Sequence, residues 1–259
     1  MLELLRYDAL MAAAASLCTC ILLVLTKSWH GSFSIDSTDG IQKFHTQPTP
    51  RIGGIAIAVG VLVGFAASSH DPAAAEKRAI LSAILLAGMP AFIFGLLEDL
   101  TKRVSVRARL LATMASGMLG WGITGVALTH VNVPGLDWLL GFTAISVLFT
   151  AFAVGGVANA INLIDGIDGL ASGLTGSALL VLGSLFLING MWIYALLSFA
   201  TLGVLVPFFY YNVFGQADHG RKIFMGDTGS LTLGYILVFL AIRYASYNPD
   251  VAHYSTGAI

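Results

Sequence analysis

The stretch WLLGFTAISVLFTAFAVGGVANAINLIDGIDGLASG, Trp138 to Gly173, holds both halves of the problem. Its first part, 138–158, is an uncharged apolar run long enough to cross a bilayer as a helix. Its second part brings four polar side chains in strict threes, Asn159, Asn162, Asp165 and Asp168, cushioned by Gly166 and Gly169. A charge at the centre of a bilayer costs about 2.5–3.5 kcal/mol on insertion scales, so these acids belong at a membrane boundary. At ~100° per residue, Asp168 stands about half a turn round from Asn159, so the four cannot form one helical stripe. The spacing predicts that the span ends near 158 and that the glycine-containing segment turns back, gathering the four into a cup. Such a cup has two readings. Buried polar residues can glue helices together, or oxygen ligands and amide donors can hold a hard cation and a nucleotide head.

The rest of the chain has the same character. Of its 259 residues, 57% are hydrophobic and 10% charged, with mean hydropathy +0.84, where soluble domains carry roughly 25% charged residues. Eight segments have the length and apolarity of a span, at about 9–26, 52–69, 79–97, 110–129, 138–158, 173–189, 192–214 and 231–247. The expected fold is therefore an all-α polytopic integral membrane protein of about eight transmembrane helices, a single domain over 1–259. The first run follows Glu3, Arg6 and Asp8 and is longer than the apolar part of a signal peptide, so it is expected to be a retained span. Cys18 and Cys20 point to different sides of that helix and read as small fillers. No basic stripe or aromatic platform suggests a nucleic-acid partner.

Alternating spans sort the connections into two faces. One face holds Lys27, Lys43, Arg51, Lys102, Arg103, Arg107, Arg109, Arg221 and Lys222; the other holds Arg6, Lys77, Arg78 and Arg243. The positive-inside rule places the first set in the cytoplasm. The same face also receives Asp36, Asp39, Glu98, Asp99, Asp165, Asp168, Asp218 and Asp227. Displacement from the bilayer centre moves acids to an interface but does not choose one interface, so this face is where chemistry is expected.

Four connections there, at about 27–52, 97–109, 158–173 and 214–231, carry motifs. KFHTQPTPRIGG, Lys43 to Gly54, is a proline-stiffened loop whose Lys43, His45 and Arg51 suit a phosphate, or serve as a positive anchor. GLLEDLTKR, Gly95 to Arg103, sets Glu98 and Asp99 beside Lys102, fit for a divalent cation or for a solvated helix end. The third is the opening stretch. The fourth, FMGDTGSLTLG from Phe224 to Gly234, puts Asp227 between Gly226 and Gly229 at the start of a span, with Asn212 nearby. Backbone can approach a ligand closely there, and a helix N-terminus favours anions.

Taken in order, Lys43-x-His45-x-x-Pro48-x-Pro50-Arg51-x-Gly53-Gly54, Glu98-Asp99-x-x-Lys102, Asn159-x-x-Asn162-x-x-Asp165-Gly-x-Asp168-Gly-Leu170 and Phe224-Met-Gly-Asp227-x-Gly-Ser230 resemble one family. It is the polyprenyl-phosphate N-acetylhexosamine-1-phosphate transferases, matched from about Lys43 to Leu233. The Pro-Thr-Pro-Arg form is closer to the branch that initiates O-antigen or teichoic-acid linkage synthesis than to the MurNAc-pentapeptide translocase. Two features depart from the family pattern: its Asp-Asp is Glu98-Asp99 here, and its members have ten or eleven spans with a further His-rich loop that His253 does not match. The chain thus reads as shortened at its C-terminus.

The resemblance implies a multi-pass protein of the bacterial inner membrane with a cytoplasmic active site. Its substrates would be a UDP-N-acetylhexosamine, by default UDP-GlcNAc, and a polyprenyl phosphate such as undecaprenyl phosphate, with UMP as leaving group. It implies Mg²⁺ or Mn²⁺ held first by Asp227, with Asp99 or Glu98. Asn159, Asn162, Asn212 and Asp165 would serve the nucleotide or the metal, Phe224 would stack on uracil, and Lys43, His45, Arg51 and Lys102 would meet phosphates. Glu98, Asp99, Asp165 and Asp168 are the candidate catalytic acids. A base is hardly needed, because a phosphate monoester is mostly a dianion at pH 7, its second pKa being about 6; Asp99 can orient it instead, and attack by Asp165 or Asp168 is the covalent alternative. Pairing with a second copy of the chain is left open. The competing classes are an ion-coupled transporter, which places acids near mid-membrane in repeated halves, a CDP-alcohol phosphotransferase, whose motif Asp165 does not continue, and a catalytically silent shortened homologue.

Overall fold

A computed structural model describes residues 2–34, 49–67, 74–217 and 219–247, and among these the regular structure is helical. In chain order the helices are α1 (Leu2–Leu25), α2 (Lys27–Ser34), α3 (Gly53–Ala67), α4 (Ala74–Ala87), α5 (Met89–Thr101), α6 (Val106–Thr124), α7 (Pro134–Leu140), α8 (Thr143–Ile164), α9 (Leu170–Ile188), α10 (Trp192–Val213) and α11 (Gly226–Tyr247).

A helix lies over each of the eight expected segments, but fewer than eight meet the demands of a bilayer alone. Five are long and apolar enough to cross, and α4 with α5 makes a sixth if the bent pair is one span. The remaining two are α3, with 15 residues, and α6, with 19 residues and arginines in its first turn. The α4–α5 pair is bent by 45°, a break written in Gly88-Met89-Pro90. Pro90 has no N–H to continue the ladder. Gly88 leaves room for the Tyr235 ring, which a Cβ would meet at 2.8 Å, and the Tyr235 hydroxyl donates to Ile84 O at 2.9 Å near the break.

The helix that organises the bundle is α11. Its spanning window is 78% buried, against 22% for α1, so α11 is the axis and α1 a peripheral helix. Around α11 pack α8, α5, α3, α9 and α6, while α1 lies against α10 and α3. Helix pairs in lipid associate by close backbone approach and interhelical hydrogen bonds rather than by expulsion of water. Ser16 Oγ accordingly donates to Val204 O at 3.0 Å between α1 and α10. The ends of α5, α8 and α10 and the starts of α3, α6, α9 and α11 meet on one side, as the contacts below establish. The alternation expected from the sequence is therefore observed, and the charged motifs share one face of a multi-pass membrane protein.

The opening stretch folds differently from expectation. α8 continues through Asn159 and Asn162 to Ile164, so the span ends six residues later than 158 and only the Asp165–Gly169 segment forms the turn. The ladder runs on from Ala158 to Ile164 although Asn is a poor helix former, because Asn159 and Asn162 donate to partners on α6, α8 and α11, and Gly169, at φ 75, ends the turn.

Candidate active site

The centre of the site is the start of α11. Segment 49–54 runs beside 223–226: Phe224 N–H donates to Pro50 O at 2.8 Å, Gly53 N–H to Phe224 O at 2.9 Å and Gly54 N–H to Met225 O at 2.8 Å. The first and fourth motifs are thus locked together by their backbones. Gly54 is where this needs a bare Cα, because a Cβ would stand 2.7 Å from Thr228 Cβ. Gly226 is the second such position. It has φ 70, and a Cβ on it would press the Asp99 carboxylate at 2.6 and 2.7 Å.

Asp99, at the end of α5, is fully buried. Its Oδ1 accepts from Asp227 N–H at 2.9 Å, and its Oδ2 from Thr228 N–H at 2.8 Å and from Thr228 Oγ1 at 2.6 Å. It therefore caps the first turn of α11, where N–H groups have no partner inside the helix and the dipole favours a negative charge. Asp99 thus holds Asp227 in place through both of its oxygens.

Asp227, also buried, faces two arginines. Arg51 Nη2 lies 3.3 Å from its Oδ1 and 3.8 Å from Asp99 Oδ1, and Arg109 Nη1 pairs with Asp227 Oδ2. Arg109 enters from the first turns of α6, whose N-terminus is capped by Ser105 accepting from Ala108 N–H at 3.2 Å. Asp165 completes the group from the end of α8. Its carboxyl is pushed well above the usual carboxylate range by burial and then by the Asp99 charge, while Arg51 and a hydrogen bond from Gly226 N–H pull it back. Five side chains from five parts of the chain, Arg51, Asp99, Arg109, Asp165 and Asp227, therefore share one small volume.

The other expected residues lie around this group. Glu98 turns away: its Oε2 accepts from Val104 N–H at 2.8 Å and folds the loop after α5. Lys102, the C-cap of α5 at φ 55, is exposed. Asn159 Nδ2 donates to Thr113 Oγ1 at 3.1 Å and Gly155 O at 2.8 Å, tying α8 to α6. Asn162 Nδ2 donates to Ser230 Oγ at 2.8 Å, tying α8 to α11. Asn212 bridges two connections, accepting from Gly169 N–H at 2.7 Å and donating to Ile223 O at 3.1 Å. In this structure the amides are the glue of the first reading, holding the acids in register. Asp168 pairs with Lys222, whose Nζ also lies 5.7 Å from the centroid of the Phe224 ring. Lys43 and His45 lie outside the described residues.

Sequence reasoning passed over Arg109 and Lys222 as positive charges on the loaded face. The available signal for Arg109 was its place one turn into α6 behind a Ser105 cap, which aims it inward. Among the described residues no three of His, Cys, Asp or Glu form a ready cage for a metal. Mg²⁺, however, is commonly held by one or two carboxylates, with substrate phosphates and water completing the shell. Asp227 and Asp165 suit that pattern: two carboxyls from distant segments meet at one place, Asp227 paired with Arg51 and Arg109 and Asp165 raised by burial and by the Asp99 charge.

Comparison with known proteins agrees with the motifs. The model of Glycosyl transferase family 4 matches residues 81–245. The chain is 33% identical over 201 residues to a probable undecaprenyl-phosphate N-acetylglucosaminyl 1-phosphate transferase of Bacillus subtilis, covering 78% of this chain and 53% of that protein. It is 30% identical over 198 residues to a phospho-N-acetylmuramoyl-pentapeptide-transferase of Clostridium perfringens, covering 75% and 61%. A protein of the same description from Desulforamulus reducens is 34% identical over 203 residues, covering 72% and 57%. The chain thus spans between half and two thirds of the length of these relatives. Its four ordered motifs, the helical bundle that joins them at one face and the match over more than half its length place this chain in glycosyl transferase family 4.

Proposed function

We propose that the chain transfers N-acetylhexosamine-1-phosphate, by default GlcNAc-1-phosphate, from a UDP-sugar to a polyprenyl phosphate such as undecaprenyl phosphate. This would be the first membrane step of a cell-surface polysaccharide, an O-antigen or a teichoic-acid linkage. The enzyme sits in the bacterial inner membrane with its site on the cytoplasmic side. The observation that carries this reading is the meeting of Arg51, Arg109, Asp165 and Asp227 at one end of the apolar helices. A water-borne nucleotide sugar and a membrane-borne phosphate can reach such a place together.

A lipid phosphate oxygen attacks the β-phosphorus of the UDP-sugar. The bond from that phosphorus to the bridging oxygen breaks, and UMP departs with that oxygen. The lipid phosphate arrives largely as a dianion, its second pKa being about 6, so no protein base is required. The obstacle is repulsion between two anions, and catalysis is positioning and charge stabilisation. Arg51 and Arg109, which rest on Asp227 in this structure, are the cations at hand for the phosphates. A Mg²⁺ or Mn²⁺ held by Asp227 and Asp165 would supply further charge neutralisation to the phosphate oxygens. Asp99 keeps Asp227 on its helix turn, and the Asn159 and Asn162 bridges keep α8 seated so that Asp165 reaches the same spot. Phe224, with its backbone fixed by Pro50 and Gly53, offers an aromatic face for uracil beside Lys222 and Asp168.

The test is transfer of radiolabel from UDP-GlcNAc, UDP-GalNAc and other UDP-sugars to undecaprenyl phosphate by the purified chain, with and without EDTA. Labelled lipid and UMP in equal amounts, lost with EDTA, are expected. Lipid-independent hydrolysis, or no labelled lipid from any donor, contradicts the proposal.

A further inference from the structure

Asp227 faces more partners than it can satisfy at once. Its Oδ1 lies 3.3 Å from Arg51 Nη2 and its Oδ2 pairs with Arg109 Nη1. Both oxygens that would hold a divalent cation therefore already face guanidinium groups. A cation and a guanidinium cannot share one oxygen of a buried carboxylate, because like charges repel strongly where water screens them poorly.

The two arginines are not equivalent. Arg51 follows Pro50, whose carbonyl accepts from Phe224 N–H at 2.8 Å, and its guanidinium also lies 3.8 Å from Asp99 Oδ1. It keeps a carboxylate beside it when Asp227 is engaged elsewhere. Arg109 has no such alternative. Among the described residues Asp227 is the acid it pairs with, and its buried Nε meets no acceptor there. Its backbone is fixed in α6, the N–H donating to Ser105 O at 3.1 Å and the carbonyl accepting from Thr113 Oγ1 at 3.1 Å. Only the side chain can change partner.

Charge balance then ties two ligands together. Among the described residues, Arg51 and Arg109 offset Asp99 and Asp227. A divalent cation alone on Asp227 leaves Arg109 without its counter-ion, and splitting a buried pair is strongly unfavourable. A nucleotide diphosphate alone brings negative charge up to two carboxylates. Bound together, the two ligands cancel each other's charge. The planar fork of Arg109, with its unmet Nε, is suited to phosphate oxygens.

We infer that Arg109 is an exchanging counter-ion: it covers Asp227 against a divalent cation until the diphosphate of the donor draws it away, so that cation and donor bind as a pair. The inference rests on the reading of Asp227 as a cation ligand. It adds that Arg109 opposes cation binding when no donor is present, and by linkage the coupling is the same in both directions.

The purified chain is titrated with Mn²⁺, followed by the electron paramagnetic resonance signal of the unbound ion, without polyprenyl phosphate and with or without UDP-GlcNAc. In the parent, UDP-GlcNAc should tighten Mn²⁺ binding by about tenfold or more. Arg109→Gln removes the competing charge, so Mn²⁺ alone should bind several-fold more tightly than to the parent, while UDP-GlcNAc should tighten it far less. Arg109→Lys should stay near the parent in both conditions. A side chain that only supported the fold would give weaker Mn²⁺ binding when replaced, with or without donor. Mn²⁺ binding by Arg109→Gln that is unchanged or weaker without donor, yet still lost in Asp227→Asn, overturns the exchange and leaves Asp227 as the cation ligand. Mn²⁺ binding indifferent to Asp227→Asn overturns both. Should Arg109→Gln fail to fold, the unsubstituted chain still decides: equal Mn²⁺ affinity with and without UDP-GlcNAc overturns the inference.

Discussion

Asp99 offers the sharpest division between a positioning and a chemical role. Its carboxylate accepts three hydrogen bonds, from Asp227 N–H, Thr228 N–H and Thr228 Oγ1, with no exposure to solvent. Asp99→Ala strands two backbone donors in the interior at about 1–3 kcal/mol each, so about 2–6 kcal/mol in all. Asp99→Asn keeps one acceptor oxygen but loses the charge, and its NH₂ group faces a donor. Bonds to ions are roughly twice as strong as neutral ones, so a loss of about 2–3 kcal/mol is expected. In thermal unfolding of the purified chain, that corresponds to a fall in Tm of about 5–10 °C. Thr228→Val should lower Tm by less, and the double variant should lose less than the sum of the two singles, since both remove the same contact. Turnover should fall because Asp227 is displaced, with the acidic limb of the pH–rate profile in the same place. The reasoning is refuted if Asp99→Asn melts with the parent while the acidic limb disappears, since that is the behaviour of a catalytic base.

The remaining expectations are these. Arg109→Ala should lower kcat/KM for the UDP-sugar by about 10²–10³-fold, the usual effect of losing one charge-stabilising donor, and Arg109→Lys should recover part of it; parent-like kinetics in Arg109→Ala would remove Arg109 from the site. Asp165 titrates with a folded-state pKa above its unfolded value of about 3.9, so its contribution to stability is present below about pH 4 and is lost as pH rises toward the folded value. Asp165→Asn should therefore gain in Tm over the parent as pH goes from 5 to 8 without divalent cation, and a gain that is flat or shrinks with pH contradicts this sign. Asp168→Lys and Lys222→Asp should each cost up to about 1 kcal/mol and the double reversal should restore it, as for a part-exposed pair; a double variant less stable than either single one would refute the pairing. Gly226→Ala should abolish folding or activity, because at φ 70 its Cβ would press the Asp99 carboxylate; a parent-like melt and turnover would show that the turn is built otherwise.

Local pattern carried much of this in advance. Apolar runs located a helix over each of the eight expected segments, and the charge count joined the loops that the structure brings together. Asp227 and Arg51 were identifiable because each stands beside glycines or prolines that make sense only near a ligand or another backbone. The role of Asp99 was hidden, because its donors lie 128 and 129 residues away and a buried carboxylate means different things with and without them. Asn159 and Asn162 misled about the end of α8, since amides inside a helix look like a break until their partners on α6 and α11 are known. Gly88-Met89-Pro90 held a bend that hydropathy averages over. Arg109 looked like an anchor because positive charge at a helix start is common on a cytoplasmic face.

The central claim is that Asp227 and Asp165, brought from distant segments, hold a divalent cation against the phosphates of a UDP-sugar. Pulsed electron paramagnetic resonance of Mn²⁺ on the purified chain with UDP-GlcNAc tests it most directly. Coupling of Mn²⁺ to nucleotide phosphorus is expected, abolished by Asp227→Asn and weakened by Asp165→Asn but kept in Glu98→Gln. Mn²⁺ bound equally well without Asp227, or bound with no phosphorus nearby, would contradict it.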